Sequence, residues 1–262
     1  MNVPLDFRAW VAGLPPRPGA VRVEGPDDAG VVCVVLDAPA TRNALTPQMM
    51  VGLADAVAAA GGARAVVLHG AGHTFCSGGD LVAVRDWLAF PGMGRVMGGF
   101  MHGVVAALEA LEVPLVGVLE GAAMGGGAEL LAACDVVVAA PTARLGWVQT
   151  RLGVAPGFGG GARLARRVGN DAARDIIAAA SVFDAGTAQG RGLVEILDEV
   201  PLVRAIAIAR ERVGARVARA YIAPEVLAAE LAAFDAVWGS VSHRAALPPR
   251  NEEQSGERSG PP

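Results

Sequence analysis

Two glycine-rich loops and one acid are the residues of this chain best suited to chemistry. Cys76-Ser77-Gly78-Gly79-Asp80 and Gly125-Gly126-Gly127-Ala128-Glu129 each follow a short apolar run, and each opens a stretch that reads as helix. Such a junction leaves backbone N–H groups without intrahelical acceptors, aimed beyond the helix start. Two junctions that converge can grip one developing oxyanion from both sides, as an enolate formed beside a carbonyl requires. Glycines alone also make tight turns. An acid in a first helical turn is favoured by the helix dipole, by about 0.3–1 kcal/mol, with no catalytic duty. The paired loops together with Glu129 point to a site, whereas Asp80 reads as the cap of the first loop's helix.

The elements that must position these loops alternate strand and helix. Residues 21–23 and 31–36 read as strands joined by a Gly/Pro/Asp-rich turn. Thr46-Pro47 is a helix start, with Thr as N-cap and Pro in the first position. Met49, Met50, Leu53 and Val57 follow at helical spacing, and Gly61-Gly62 ends the element. Residues 65–69 form a strand into the first loop, and 115–119 a strand into the second. The helical stretch 80–111 is interrupted at Pro91-Gly92-Met93-Gly94, a mobile segment beside a pocket or a plain loop. Residues 129–134 read as helix and 136–140 as strand, and the pattern recurs through Leu145, Gly153 and Phe158-Gly159-Gly160-Gly161. Short apolar strands alternating with helices predict an α/β fold.

From residue 203 the chain reads as helical and strand-free. Arg204, Arg210, Arg212, Arg216 and Arg219 suit a solvated helix face, while Leu227, Leu231, Phe234 and Trp238 form an apolar stripe. That stripe must pack on the core or on another subunit. The expected organisation is an irregular lead-in over 1–20, a catalytic core over 21–200, a helical oligomerisation region over 201–247 and a disordered tail over 248–262.

Composition removes several function classes. Hydrophobic residues make up 53% of the 262, ample for a core, and much of that is Ala and Val. No uncharged apolar stretch reaches the roughly 18 residues of a membrane span. The first residues lack a basic start before an apolar block, so no secretory signal and a cytoplasmic location are expected. A net charge of −4 argues against nucleic-acid partners. Lysine is absent, which excludes Schiff-base chemistry and a phosphate-loop lysine and leaves arginine as the cation for any phosphate. Cys33, Cys76 and Cys134 show no metal-ligand or disulfide spacing and suit buried small side chains. His69, His73, His102 and His243 are scattered with no metal-ligand spacing, so no metal is expected.

Four co-linear motifs carry a resemblance. They are Pro39-Ala40-Thr41-Arg42-Asn43-Ala44-Leu45, Phe75-Cys76-Ser77-Gly78-Gly79-Asp80-Leu81, Gly121-Ala122-Ala123-Met124-Gly125-Gly126-Gly127-Ala128-Glu129-Leu130 and Gly153-Val154-Ala155-Pro156-Gly157-Phe158-Gly159-Gly160. In this order they resemble the crotonase (enoyl-CoA hydratase/isomerase) superfamily from about residue 20 to 245. The resemblance implies a spiral of ββα units, a C-terminal helical trimerisation region and assembly as a homotrimer or dimer of trimers. It implies acyl-CoA substrates, with no cofactor beyond their CoA moiety. By motif position the N–H groups of Gly79 and Gly126 would form an oxyanion hole. Gly79, Asp80, Leu81 and Val82, with the backbone near Arg42 and Ala44, would line the CoA site. Arg42 and Arg85 are candidates for phosphate contacts.

The reaction is less determined. Hydratases of this superfamily use two glutamates around one water. Glu129 matches the first, but the second position falls on Gln149, which can hold a water yet cannot titrate near neutrality. Decarboxylation asks for an enolate hole, a pocket for the leaving carboxylate and one acid. Glu129 in an apolar site would serve as that acid, with Gln149, Trp147 or His73 helping to bind the carboxylate. Trp147-Val148-Gln149, residues 159–164 and Val237-Trp238-Gly239-Ser240 look closest to the ethylmalonyl-CoA decarboxylase branch. The expected function is therefore decarboxylation of a short malonyl-type thioester such as ethylmalonyl- or methylmalonyl-CoA. The alternatives are an enoyl-CoA hydratase or isomerase using Glu129 with Gln149, a biosynthetic enzyme acting on a carrier-bound thioester, and a CoA-binding protein without turnover.

Overall fold

The structure is a computed structural model that describes residues 6–88, 90 and 92–247. Its strands are β1 (Ala20–Glu24), β2 (Val31–Asp37), β3 (Ala65–Gly70), β4 (Leu115–Leu119), β5 (Ala122–Met124), β6 (Val136–Ala139), β7 (Arg144–Gly146), β8 (Val182–Asp184) and β9 (Ile196–Leu197). The helices are α1 (Phe7–Ala12), α2 (Pro47–Ala59), α3 (Leu81–Trp87), α4 (Met93–Glu109), α5 (Gly126–Ala132), α6 (Gly160–Val168), α7 (Asn170–Ala178), α8 (Ala185–Gly190), α9 (Pro201–Glu211), α10 (Pro224–Val237) and α11 (Val241–Ala246).

The strands sort into two sheets. The larger has the order β1-β2-β3-β4-β6-β9 and is parallel except for the β1–β2 pair. The smaller has the order β5-β7-β8. Successive strands are shared out between them: β4 joins the large sheet and β5 the small, β6 the large and β7 the small. This is the ββα spiral that the motifs imply.

Alternation along the large sheet supplies its two faces. Val66 and Leu68 belong to the main core, whereas Ala65 and Val67 join Val116, Val118, Val136 and Val138 under Ala205, Ile208 and Ala209 of α9. A boundary drawn at residue 200 thus falls inside this packing, because α9 closes the second face of the sheet.

Local chemistry explains most boundaries. The Thr46 hydroxyl accepts the Met49 N–H at 3.2 Å, with Pro47 following it, so α2 begins where its cap predicts. Residues 6–20 differ from the irregular lead-in expected of them. Asp6 accepts the N–H groups of Arg8 and Ala9, and α1 packs Phe7 against Trp87 and Phe100. The arginines after residue 203 are not all solvated either. Arg219 is nearly buried, pairs with Asp135 at 2.6 Å and donates to the carbonyls of Glu109 and Val113. Pro91 and the expected disordered tail over 248–262 lie outside the described residues. Among the described residues no helix is long and apolar enough to cross a membrane.

Candidate active site

The two glycine loops meet because the small sheet extends through them. Cys76 bridges Ala123 in parallel, with its N–H donating to the Ala122 carbonyl and its own carbonyl accepting the Met124 N–H. Leu45 bridges Gly79 on the other side. From these anchor points the chain runs into α3 on one strand and α5 on the other. Gly78 has φ +98°, and a Cβ there would stand 2.9 Å from the Met124 carbonyl oxygen and 3.6 Å from the Gly126 nitrogen. Only glycine allows that approach. Neither Gly79 nor Gly126 donates its N–H to an acceptor among the described residues.

Both loops line one cavity of about 460 Å³. Its wall is mostly apolar, with Met50, Leu81, Met97, Val148, Phe158 and Phe234 among the lining residues, and it also carries Glu129, Gln149, Arg151 and His243. Gly79, Leu81, Gly126, Glu129 and Gln149 are thereby brought together. Arg42, Ala44, Asp80 and Val82 do not line it and flank the first loop instead. The Arg42 carbonyl accepts the Ser77 N–H, and Asp80 caps α3 by accepting from Val82 and Ala83 while facing Arg17 at 3.7 Å. Two expectations fail. His73 sits on a surface turn with its side chain 91% exposed, and the buried Trp147 is absent from the cavity wall. Neither is placed to bind a carboxylate in this cavity.

Glu129 is the electrostatic centre. It is 2% exposed, yet both carboxylate oxygens are saturated. One accepts from Gln149 Nε2 at 2.9 Å and from the Gly157 N–H at 3.2 Å; the other accepts from the N–H groups of Phe158 at 2.7 Å and Gly160 at 3.0 Å. Burial raises the carboxyl above its usual range, and these four donors pull the other way. Gln149 Oε1 is buried and has no hydrogen-bond partner among the described residues.

Two neighbours of this centre escaped the sequence reading. Glu230 of α10 accepts the N–H groups of Gly161 and Ala162 at the start of α6. Burial, reinforced by the Glu129 charge, pushes its carboxyl up to about 7. His243 of α11, read as an ordinary packed or surface residue, is 1% exposed and on the cavity wall. The apolar stripe was the available signal, since Leu231 and Phe234 pack at Gly98, and Trp238 at Gly94, of this chain's own α4. Nothing in it named the partner.

A family model for enoyl-CoA hydratase/isomerase matches residues 27–225. The chain belongs to the enoyl-CoA hydratase/isomerase family. Among its relatives is the ethylmalonyl-CoA decarboxylase of Danio rerio, 36% identical over 181 residues, covering 68% of this chain and 60% of that protein. Another is the crotonyl-CoA hydratase of Syntrophomonas wolfei, 32% identical over 196 residues, covering 71% of this chain and 75% of that protein. The chain spans only 57 to 60% of the length of the decarboxylases from Gallus gallus and Danio rerio. The crystal structure of an enoyl-CoA hydratase/isomerase from Mycobacterium paratuberculosis shares the family fold, with a TM-score of 0.77 over 88% of this chain and 98% of that one, at 22% identity.

Proposed function

We propose that this family member processes short acyl-CoA thioesters by way of an enolate, and that its preferred reaction is decarboxylation of ethylmalonyl- or methylmalonyl-CoA. The N–H groups of Gly79 and Gly126 receive the thioester oxygen. The bond between C2 and the carboxylate carbon breaks, its electron pair passes into the enolate, and carbon dioxide leaves. C2 then takes one proton. In a largely apolar cavity the two preset N–H dipoles act with little water to screen them.

The observation that carries this reading is the Glu129–Gln149 pair. With an amide at the second position, only one carboxyl at this point can exchange a proton, which is enough for decarboxylation. Burial favours the neutral form of Glu129. Turning the Gln149 amide about its last bond replaces a donor by an acceptor, so the unpartnered Oε1 can hold a protonated Glu129 until C2 requires the proton. Hydration of an enoyl thioester is the second reading. It is favoured by the four donors on Glu129, which suit an ionised base.

The test is to supply ethylmalonyl-CoA, methylmalonyl-CoA and crotonyl-CoA separately and identify products by mass spectrometry. Decarboxylation of either malonyl-type thioester that falls at least about a hundredfold in Glu129→Gln supports the first reading. Fast hydration of crotonyl-CoA with no carbon dioxide released supports the second. Binding without turnover identifies a CoA-binding protein. Assembly as a homotrimer or dimer of trimers in the cytoplasm belongs to the same proposal. It is supported by the exposed apolar residues Val200, Val203, Tyr221, Val226 and Val241 in the C-terminal third, and light scattering tests the assembly.

A further inference from the structure

Helix α6 starts on Gly159, which has no side chain to cap it, and two acids remote in sequence take its first N–H groups instead. Glu129 of α5 accepts from Gly160 at 3.0 Å, and from Gly157 and Phe158 on the approach to the helix. Glu230 of α10 accepts from the next two, Gly161 at 3.1 Å and Ala162 at 2.8 Å. Five N–H groups of six consecutive residues are thus divided between two carboxyls. Two glycines make room for both. A Cβ at residue 160 would overlap Glu129 Cγ, and one at residue 161 would stand 3.1 Å from Glu230 Oε2.

A helix start carries about half a positive charge, which favours one nearby anion. A second anion on the same turn repels the first, so each charge raises the proton affinity of the other carboxyl. Burial and the Glu129 charge push the Glu230 carboxyl up to about 7, against the pull of Arg163. Neither acid forms an ion pair among the described residues. On α6, Arg163 and Arg166 are paired with Glu109 of α4, and Arg167 with Glu195. On α4, burial with Arg163 nearby pushes His102 down to about 4, so it is neutral, and the Arg95 backbone N–H donates to Asp235 of α10. Glu225 and Asp235 are the other acids of α10. Toward the cavity, burial lowers His243 and Arg151 donates to the Ala180 carbonyl.

We infer that Glu230 is a positioning residue for Glu129: through the turn of backbone they share, it governs how tightly Glu129 holds its proton. The inference rests on the reading above, in which Glu129 supplies the proton. When Glu129 gives that proton to C2 and becomes negative, Glu230 holds its own more tightly and stays neutral. The turn then carries one charge at each stage of the reaction.

NMR titration of the side-chain carboxyl carbons tests the pairing, each signal being assigned by its loss in Glu129→Gln or Glu230→Gln. In Glu129→Gln the Glu230 midpoint should fall from about 7 by at least about one pH unit. The two midpoints of the parent pair should together exceed the sum of the single midpoints left in the two variants by a similar amount. In Glu230→Gln the alkaline limb of kcat for ethylmalonyl-CoA should move to lower pH by about one unit or more, with KM within about twofold. Melting curves establish that each variant folds, and either one alone suffices, since each leaves one carboxyl to titrate without its neighbour. Midpoints that add to within about 0.3 unit, or a Glu230 midpoint that stays in place without Glu129, overturn the inference whatever the protein turns over. Coupled midpoints in a protein that leaves every thioester unchanged overturn the reading of Glu129 as proton donor and leave the pairing in place.

Discussion

Glu129 accepts four hydrogen bonds on two oxygens, so a proton can be added to it only if one donor turns away. Gln149 is the one donor of the four able to do so, because the other three are backbone. Gln149→Glu replaces it with a second carboxyl 2.9 Å from the first and makes the two share a proton. That variant should gain crotonyl-CoA hydration, followed by loss of the enoyl chromophore. It should also melt earlier, by about 1–3 kcal/mol of stability, as a buried hydrogen bond is exchanged for repulsion. The motifs made Glu129, Gln149 and both loop glycines legible in the sequence because each lies within a few residues of its own punctuation. His243 and Glu230 were not legible, since their roles depend on α10 and α11 folding back over α4 and α6. Contacts spanning that much chain leave no local signature.

Helix α4 shows how one element reads differently on its two sides. Gly98 faces α10, and a Cβ there would stand 2.8 Å from the Leu231 side chain, whereas Gly103 would meet nothing within 4 Å. Gly98→Ala should cost about 1–3 kcal/mol by overpacking. Gly103→Ala should add about 0.5–1 kcal/mol by restricting the unfolded chain at a helical position. Chemical denaturation of the two variants separates these effects. From sequence both glycines look like helix weakeners. The difference is tertiary, and it is why the existence of the helix was predictable and its packing face was not. Strand β4 is the opposite case: Leu115–Leu119 was read to the residue, because an all-apolar run bounded by Pro114 and Glu120 has few other ways to fold.

Across the whole molecule, Phe234 of α10 and His243 of α11 face a cavity that Met124 and Val182 of the small sheet line from another side, and Glu230 ties α10 to the start of α6. Its folded-state carboxyl titrates near 7, above the usual value of 4.5, so the native protein binds the extra proton between these limits. Stability from this group is therefore fully present below about pH 4.5 and is lost as pH rises through about 7. Glu230→Gln should flatten that decline, and melting temperatures taken from pH 5 to 8 will show whether it does. The strip that joins the two glycine loops also holds a built-in stopwatch. Cys76 is wholly enclosed there, and its thiol is pushed up to about 12 by burial, so an alkylating reagent can reach it only when the strip parts. The rate at which iodoacetamide captures that sulfur in native buffer would time how often the two halves of the proposed oxyanion grip let go of each other.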